Sequence, residues 1–141
     1  RPWLAFDAVW TQTDAHSEGS PGAEHIPGAV ESAGELGIAA IRGLWEASMR
    51  VRHLGPYPLV EADSIRGDTE TTVNLRAAWK RAGLTWYGEV LNVFDSDGKD
   101  IVYFYESFLP AIDAAPTEGR VSRAAEPRTL RVGVKWEFGG R

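Results

Sequence analysis

The chain has 141 residues, 43% of them hydrophobic, which is the composition of a single folded domain rather than of a disordered segment. Its formal net charge is −5, with basic and acidic residues intermixed, and this argues against nucleic acid as a partner and against a polybasic membrane-binding face. The sequence contains no cysteine, which excludes disulfides, thiolate nucleophiles and cysteine-based zinc sites.

The hydropathy of the sequence argues against a membrane-spanning helix but not against membrane-spanning strands. No run of residues reaches the roughly 18 consecutive apolar positions that a membrane-spanning helix needs. A membrane-spanning strand needs only about 9–11 residues of alternating character, so a membrane barrel remains open. The chain starts at Arg1 without a methionine and enters strand-like sequence almost at once, so we expect it to be a piece of a longer protein.

Alternation of apolar and polar residues predicts six β-strands. In chain order they cover residues 4–11, 28–41, 44–54, 72–80, 84–90 and 129–138. The last is the clearest, because one of its faces is wholly apolar while the other carries full charges. The second is the weakest: its alanine and glycine content would also permit a helix, although the alternation favours a strand.

The connections between these strands alternate in length. The turns at Arg42-Gly43 and at Arg81-Ala82-Gly83 are short, whereas residues 12–27, 55–69 and 95–125 are long and rich in Gly, Pro, Asp, Glu and Ser. Bacterial outer-membrane barrels have short periplasmic turns and long extracellular loops. This pattern therefore predicts such a barrel, with the last strand running towards the periplasm.

A soluble antiparallel sandwich or small barrel that acts as a binding module is the alternative, because half-buried strands alternate in the same way. The tryptophans argue modestly against it. The sequence has 6 Trp, and several stand near the ends of predicted strands, as membrane-interface residues do. They are Trp3, Trp10, Trp45, Trp79, Trp86 and Trp136.

Two motifs near the end of the chain resemble those of a known family. Residues 87–95, Tyr-Gly-Glu-Val-Leu-Asn-Val-Phe-Asp, resemble the "evlNlfD" strand near the C-terminus of TonB-dependent receptors. Residues 126–138, from Glu-Pro-Arg-Thr to Phe138, resemble their terminal "EPRtv.vgv.y.F" strand. The residues Ile26-Pro27-Gly28-Ala29 and the segment 52–59 are also similar to this family. One departure is that three residues follow Phe138, where family members usually end on the aromatic residue.

The resemblance implies an all-β fold of antiparallel up-and-down strands, in which residues 1–138 supply about six strands of a transmembrane barrel and residues 139–141 form a short tail. Barrels of this family have about 22 strands and a plugged lumen. The implied function is import of a scarce ligand, such as an iron–siderophore complex or cobalamin, across the cell outer membrane of a Gram-negative bacterium. We therefore expect a transport component and no enzyme.

The resemblance also implies the partners and the candidate residues. The partners are outer-membrane lipid, the imported small molecule, the rest of the barrel, and the plug, through which TonB acts indirectly. The predicted lipid-facing residues are Leu75, Val90, Val132, Val134, Trp136 and Phe138. The ligand-binding candidates, in the long loops, are Tyr57, Arg66, Tyr103 and Tyr105. The aromatic stretch 101–109 that holds two of these tyrosines is expected mainly to extend a strand or to pack the loop.

No catalytic, cofactor-binding or metal-binding residue is predicted. His16, His25 and His53 lack the helical or paired-strand spacing with carboxylates that indicates a metal site. Residues 95–100 have the acidity of a calcium loop, but their glycine and glutamate positions do not fit one, so a polar turn is preferred.

Overall fold

The computed structural model describes residues 3–18, 21–108, 110–111 and 115–138, and the described residues form β-strands without any helix. The strands are β1 (Leu4–Gln12), β2 (Ser32–Arg42), β3 (Trp45–Leu54), β4 (Tyr57–Pro58), β5 (Arg66–Gly67), β6 (Glu70–Arg81), β7 (Leu84–Leu91), β8 (Lys99–Ser107), β9 (Thr117–Ala124) and β10 (Thr129–Trp136). In these same ranges, no helix is long and apolar enough to cross a membrane.

One large antiparallel sheet contains six of the strands, in the order β1-β2-β3-β6-β7-β10. The order follows the chain, so the sheet is an up-and-down meander. All six predicted strands are present, and the weakest of them is strand β2 and not a helix, but it begins at Ser32 and not at residue 28. The last predicted strand ends at Trp136 and not at Phe138. β1 and β10 are the two edges, and the described residues form no closed barrel.

Two tight turns close the hairpins at one end of this sheet. Arg42 pairs with Trp45, which leaves Gly43 and Leu44 as the turn, and Gly43 has a φ of 61°. A glycine with positive φ at the first turn position is typical of the II′ hairpin. In the second turn both central residues have positive φ, 51° at Ala82 and 76° at Gly83, which is typical of type I′. Both turns lie within a residue of their predicted positions.

The long connections carry small sheets of their own. Within residues 55–69, β4 pairs with β5, and within residues 92–128, β8 pairs with β9 as a hairpin. The predicted aromatic stretch 101–109 is therefore mostly a strand, although Leu109 lies outside the described residues. The hairpin is not paired with the large sheet.

The register separates the side chains of the large sheet into two faces. Paired residues lie on the same face of a sheet, and alternate residues along a strand lie on opposite faces. For example, Phe6 pairs with Ile38, Ile38 with Met49, and Met49 with Leu75. Leu75 then pairs with Val90, which pairs with Leu130. One continuous apolar row thus crosses all six strands.

The opposite face is polar and rich in ion pairs. Arg50 bonds to Glu35 and lies 3.9 Å from Asp7, so that three neighbouring strands are linked. Further along, Arg76 bonds to Glu89, its partner in register, and Lys80 Nζ lies 2.6 Å from Glu46. Because these ion pairs are exposed, each adds little to the free energy of unfolding. Together they place opposite charges beside one another on adjacent strands.

The chain has almost no hydrophobic core in the part that the structure describes. Only Leu59, Ala78 and Val102 are buried hydrophobic residues there, and none of the described large side chains is fully buried. By contrast, Phe6 is 80% exposed and Val132 is 79% exposed. The apolar face of the large sheet is therefore largely exposed in the part of the chain that the structure describes.

The packing of Gly133 supplies a test of the register. Gly133 pairs with Tyr87, and a Cβ at Gly133 would stand 2.5 Å from the Tyr87 hydroxyl oxygen. We expect Gly133→Val to lower the free energy of unfolding by about 1–3 kcal/mol, the usual cost of overpacking, in a denaturant titration. The matched control is Gly119→Val in β9, where a Cβ would meet nothing within 4 Å. Equal effects of the two changes would contradict the register.

Candidate functional site

The apolar face of the large sheet is the most extensive candidate surface, and we call it the apolar surface. Five of the six predicted lipid-facing residues share this face by register and alternation, and Val90 among them is half-buried. The sixth, Phe138, follows β10 and is 78% exposed, and its ring centroid lies 4.2 Å from that of Trp136. The structure therefore brings all six predicted residues to one side of the sheet. They are Leu75, Val90, Val132, Val134, Trp136 and Phe138.

Aromatic residues border the apolar surface at both ends of the strands. At the end with the short turns, Trp45 pairs with Trp79, which pairs with Trp86, and the ring centroids of Trp45 and Trp79 are 6.4 Å apart. At the end with the long loops, the Trp10 ring stacks on the His53 ring at 5.6 Å. Tryptophan prefers the interface between membrane and water, where its ring is apolar and its N–H can reach water.

The distance between the aromatic borders can be compared with the apolar band of outer-membrane barrels. Trp45 and His53 are the border residues of β3 and stand eight positions apart in that strand. At about 3.4 Å per residue, this separation is roughly 27 Å along the strand. Outer-membrane barrels have an apolar band about 25 Å tall and strands tilted by about 35–45°. With such a tilt the border rows would lie about 21 Å apart along the membrane normal, close to the height of that band.

The ligand-binding candidates of the middle loop, Tyr57 and Arg66, lie side by side in the β4–β5 pair. The Tyr57 ring packs on Gly67, and burial, followed by the nearby charges of Asp68 and Glu70, raises the pKa of its phenol above the usual value. The Tyr57 side chain is therefore held within the loop by its packing on Gly67.

The guanidinium of Arg66 is bound to two carboxylates. It bonds to Glu31, and its Nη1 donates to Asp63 Oδ2 at 2.6 Å. The hydrogen bond with Glu31 is the main cause of the raised pKa of Arg66, which keeps the guanidinium charged. Arg66 thus connects the loop of residues 55–69 to the segment that precedes β2.

The other two candidates, Tyr103 and Tyr105, lie on one face of the β8–β9 hairpin. Their exposed fractions are 60% and 49%, whereas Val102 on the opposite face of the hairpin is buried. Arg120, in β9, donates from Nη2 to the backbone carbonyl of Arg66 at 2.9 Å. The two candidate loops therefore touch, but only the tyrosines of the hairpin present their rings to the outside.

Asn92 is the centre of a buried hydrogen-bond network that the sequence analysis did not predict. It is only 4% exposed and has a φ of 48°, a conformation that asparagine tolerates better than most residues. Its backbone N–H donates to Asn74 Oδ1 at 2.9 Å, and its side-chain amide bonds to the carbonyls of Ser96 and Glu126. Asn92 belongs to the motif of residues 87–95. Its positive φ and its contacts with residues far away in the sequence cannot be predicted from the spacing of residues in that motif.

The two motifs that carry the family resemblance contact each other. Asp95 Oδ1 accepts a hydrogen bond from the backbone N–H of Arg128 at 2.8 Å, and the Arg128 guanidinium lies 3.7 Å from Asp95 Oδ2. The end of the first motif thus fixes the start of the second, and through it the entry into β10. The contact between Asp95 and Arg128 therefore clamps the two motifs together at the loop end of the sheet.

The acidic segment 95–100 is not arranged as a cation site. The Asp95 carboxylate is occupied by Arg128, and Asp100 Oδ2 lies 4.0 Å from Arg123 Nε. In the described ranges, no group of three or more His, Cys, Asp and Glu residues is placed to hold a metal ion. A polar cavity of about 230 Å³ lies nearby, between Arg52, Glu70 and Asn92, at the loop end of the polar face.

Comparison with known proteins adds no assignment. No protein-family model matches this sequence, and no curated protein is significantly similar to it. The functional argument therefore depends on the residues and their arrangement.

Asn92 gives a test of the buried hydrogen-bond network at the loop end of the sheet. We expect Asn92→Ala to lower the free energy of unfolding by about 1–3 kcal/mol, because it leaves buried polar groups without partners. A denaturant titration measures this change. Asp97→Ala is the control, since Asp97 is exposed in the same loop and we expect no change beyond about 0.5 kcal/mol. A neutral Asn92→Ala variant would show that the network does not stabilise the fold.

Proposed function

We propose that this chain is part of a transmembrane β-barrel in a bacterial outer membrane and that the barrel is a TonB-dependent receptor. One observation carries the membrane part of the proposal. Six strands in register place their apolar side chains on one face, and that face is exposed and bordered by tryptophan. Lipid is the environment in which such a surface is stable without further protein.

The size of the apolar surface favours lipid over water. The largest exposed apolar patch on a typical soluble monomer covers about 300–600 Å². Here at least one large apolar side chain on each of the six strands is more than a third exposed, and these include Phe6, Leu36, Trp45, Leu75, Trp86 and Leu130. A surface of this kind in water would drive association of the protein.

A soluble sandwich would need a second sheet about 10 Å away, packed on the apolar surface. The other sheets in the described residues are the two-stranded pairs β4–β5 and β8–β9, which lie in the long connections. Neither removes the apolar surface from solvent, since Leu130 is 72% exposed and Val132 is 79% exposed. The sandwich remains the alternative function class, and it requires a covering from outside the described residues.

The edges of the sheet point to more strands. β1 and β10 have unpaired outer edges among the described strands. Backbone N–H and C=O groups in the lipid core must be paired, so spanning sheets close into barrels. We propose that further strands of the same protein pair with both edges, and that the polar face lines the lumen.

The transport part of the proposal rests on the resemblance of residues 87–95 and 126–138 and on the arrangement of the loops. The long connections all leave the sheet at the end opposite the two tight turns. Loops held on a rigid scaffold are common sites of ligand recognition. We propose that ligand capture involves the exposed Tyr103 and Tyr105, with Tyr57 and Arg66 next to them, and that TonB supplies the energy through a plug elsewhere in the protein.

Opposite faces of the sheet give the sharpest mutational test of membrane insertion. Val132 lies on the apolar surface, while Val9 lies on the polar face opposite Glu35. We expect Val132→Arg to destabilise the folded protein in lipid by about 2–4 kcal/mol, the cost of an arginine near the bilayer midplane. Val9→Arg, the same chemical change on the other edge strand, should be tolerated. Unfolding of both variants in vesicles measures the difference, and an equal cost would contradict the proposal.

Uptake tests the transport function directly. Deletion of the full-length gene should abolish the uptake of one ligand from a panel of radiolabelled iron–siderophore complexes and cobalamin. The same loss is expected in a strain that lacks TonB, because the import is coupled to it. Restoring the gene serves as the control. Unchanged uptake of every ligand in the deletion strain would contradict the transport function while leaving the membrane fold standing.

The loop tyrosines can be tested in the same full-length protein. We expect replacement of Tyr103 and Tyr105 by alanine to weaken binding of the imported ligand at least about tenfold, because truncating central aromatic contacts commonly costs 1–2 kcal/mol or more. Ligand binding to purified protein measures the effect. Tyr87→Phe, on the polar face of the sheet, is the control. Unchanged affinity after replacement of both loop tyrosines, and also of Tyr57 and Arg66, would exclude the loops as the capture site.

A further inference from the structure

Two histidines that are distant in sequence face each other in the first long connection. His16 and His25 form an isolated antiparallel bridge, and their ring centroids are 5.5 Å apart with an angle of 50° between the planes. From these contacts we propose that His16 and His25 bind one divalent transition-metal ion of the class that prefers imidazole, such as Zn²⁺ or Cu²⁺. The proposal adds a site to the protein and does not depend on the proposed transport function.

The spacing of the rings fits a shared metal ion. Imidazole nitrogens bind Zn²⁺ at about 2.0–2.1 Å, and two of them at a near-tetrahedral angle place the ring centroids roughly 5 Å apart. The observed 5.5 Å is close to that separation. Small rotations of the two rings are enough to direct one nitrogen of each towards a common point.

Each histidine has a carboxylate beside one of its ring nitrogens. Asp14 Oδ1 lies 3.2 Å from His16 Nδ1, and Asp63 Oδ2 lies 4.0 Å from His25 Nε2. In metal sites the ring nitrogen that does not bind the metal usually donates to a carboxylate or carbonyl, which orients the ring. The arrangement assigns His16 Nε2 and His25 Nδ1 to the metal.

Asp63 is well placed for this supporting role. Arg66 holds its Oδ2 at 2.6 Å, while its Oδ1 is buried and has no hydrogen-bond partner in the described part of the chain. The carboxylate can therefore accept a hydrogen bond from the His25 ring without losing Arg66.

The backbone fixes the two histidines in place and leaves them accessible. A hydrogen bond from Ser17 N to Glu24 O at 2.7 Å closes the bridge within its own loop, and one from His25 N to Glu61 O at 3.1 Å joins it to the next loop. An open cavity of about 330 Å³ beside the rings is lined by Asp14, His16, His25 and Glu31, among others. The side chains of His16 and His25 are 55% and 34% exposed, so an ion can reach them from solvent.

The site offers two protein nitrogens, since the described residues contain no set of three or more metal-binding side chains. Water or an incoming ligand would complete the coordination. Sequence spacing alone does not predict this pair, because eight residues separate the two histidines.

Metal titration of the full-length protein that contains these residues tests the site. We expect calorimetry with Zn²⁺ near neutral pH to show that His16→Gln and His25→Gln each weaken Zn²⁺ binding at least about tenfold. Loss of a residue that only supports a metal ligand commonly lowers metal affinity by that factor, and loss of the ligand itself should cost no less. The matched control is His53→Gln, since the His53 ring lies on the apolar surface against Trp10 and bonds to Thr71 Oγ1 at 2.9 Å.

Electron paramagnetic resonance with Cu²⁺ gives a readout that does not depend on the stability of a variant. The wild-type protein should show coupling to two imidazole nitrogens, and each loop variant should show one fewer. The proposal is overturned if the wild-type protein binds neither ion, if both loop variants bind as the wild type does, or if His53→Gln produces the same loss.

Discussion

The structure depends on one constraint, which is that side chains alternate between the two faces of a strand and that six strands are paired in register. A shift of a single residue between two strands would exchange their apolar and polar side chains. The row from Phe6 to Leu130 shows that no such shift occurs between any two neighbouring strands. One face consequently collects most of the apolar side chains of the sheet, and the stability of the fold depends on what covers that face.

The turns and the loops maintain this register from opposite ends. At the short end, the positive φ angles of Gly43, Ala82 and Gly83 form two-residue turns whose twist suits adjacent antiparallel strands. At the other end, the chain makes long excursions before it returns to the sheet. There Asn92 joins its own loop to Asn74 in β6 and to the carbonyl of Glu126 before β10. The contact of Asp95 with Arg128 fixes the re-entry of the chain into β10. The loops are thus ordered by specific polar contacts, whereas the sheet is ordered by its pattern.

The sequence predicts the large sheet well because apolar and polar residues alternate with a period of two along its strands. Alternation found all six strands, including β2, where Ala and Gly weaken the signal, and it placed Val132 and Val134 on the same face as Leu75. The long connections have no period, so β4, β5 and β9 were missed, and only the aromatic stretch 101–109, which contains most of β8, was expected to include strand. Strand β9 carries charges on both faces. The Pro21-Gly22 dipeptide indicates a turn between His16 and His25, but it does not specify that the two histidines pair. The environment of Arg66 was also hidden, because Glu31 lies 35 positions away. Whether the four loop candidates bind a ligand stays a prediction.

The most direct test of the account measures which side of β10 faces lipid. These 141 residues contain no cysteine, so single cysteines at positions 130 to 135 can carry the only spin label once any cysteine elsewhere in the full-length protein has been replaced. Collisions of the label with oxygen, which concentrates in lipid, and with a water-soluble nickel complex are then measured in the full-length protein in vesicles. The account predicts that oxygen accessibility is high at positions 130, 132 and 134 and low between them. Labels at 130, 132 and 134 that are shielded from both reagents would contradict it, because that is the result expected for the interior of a soluble sandwich.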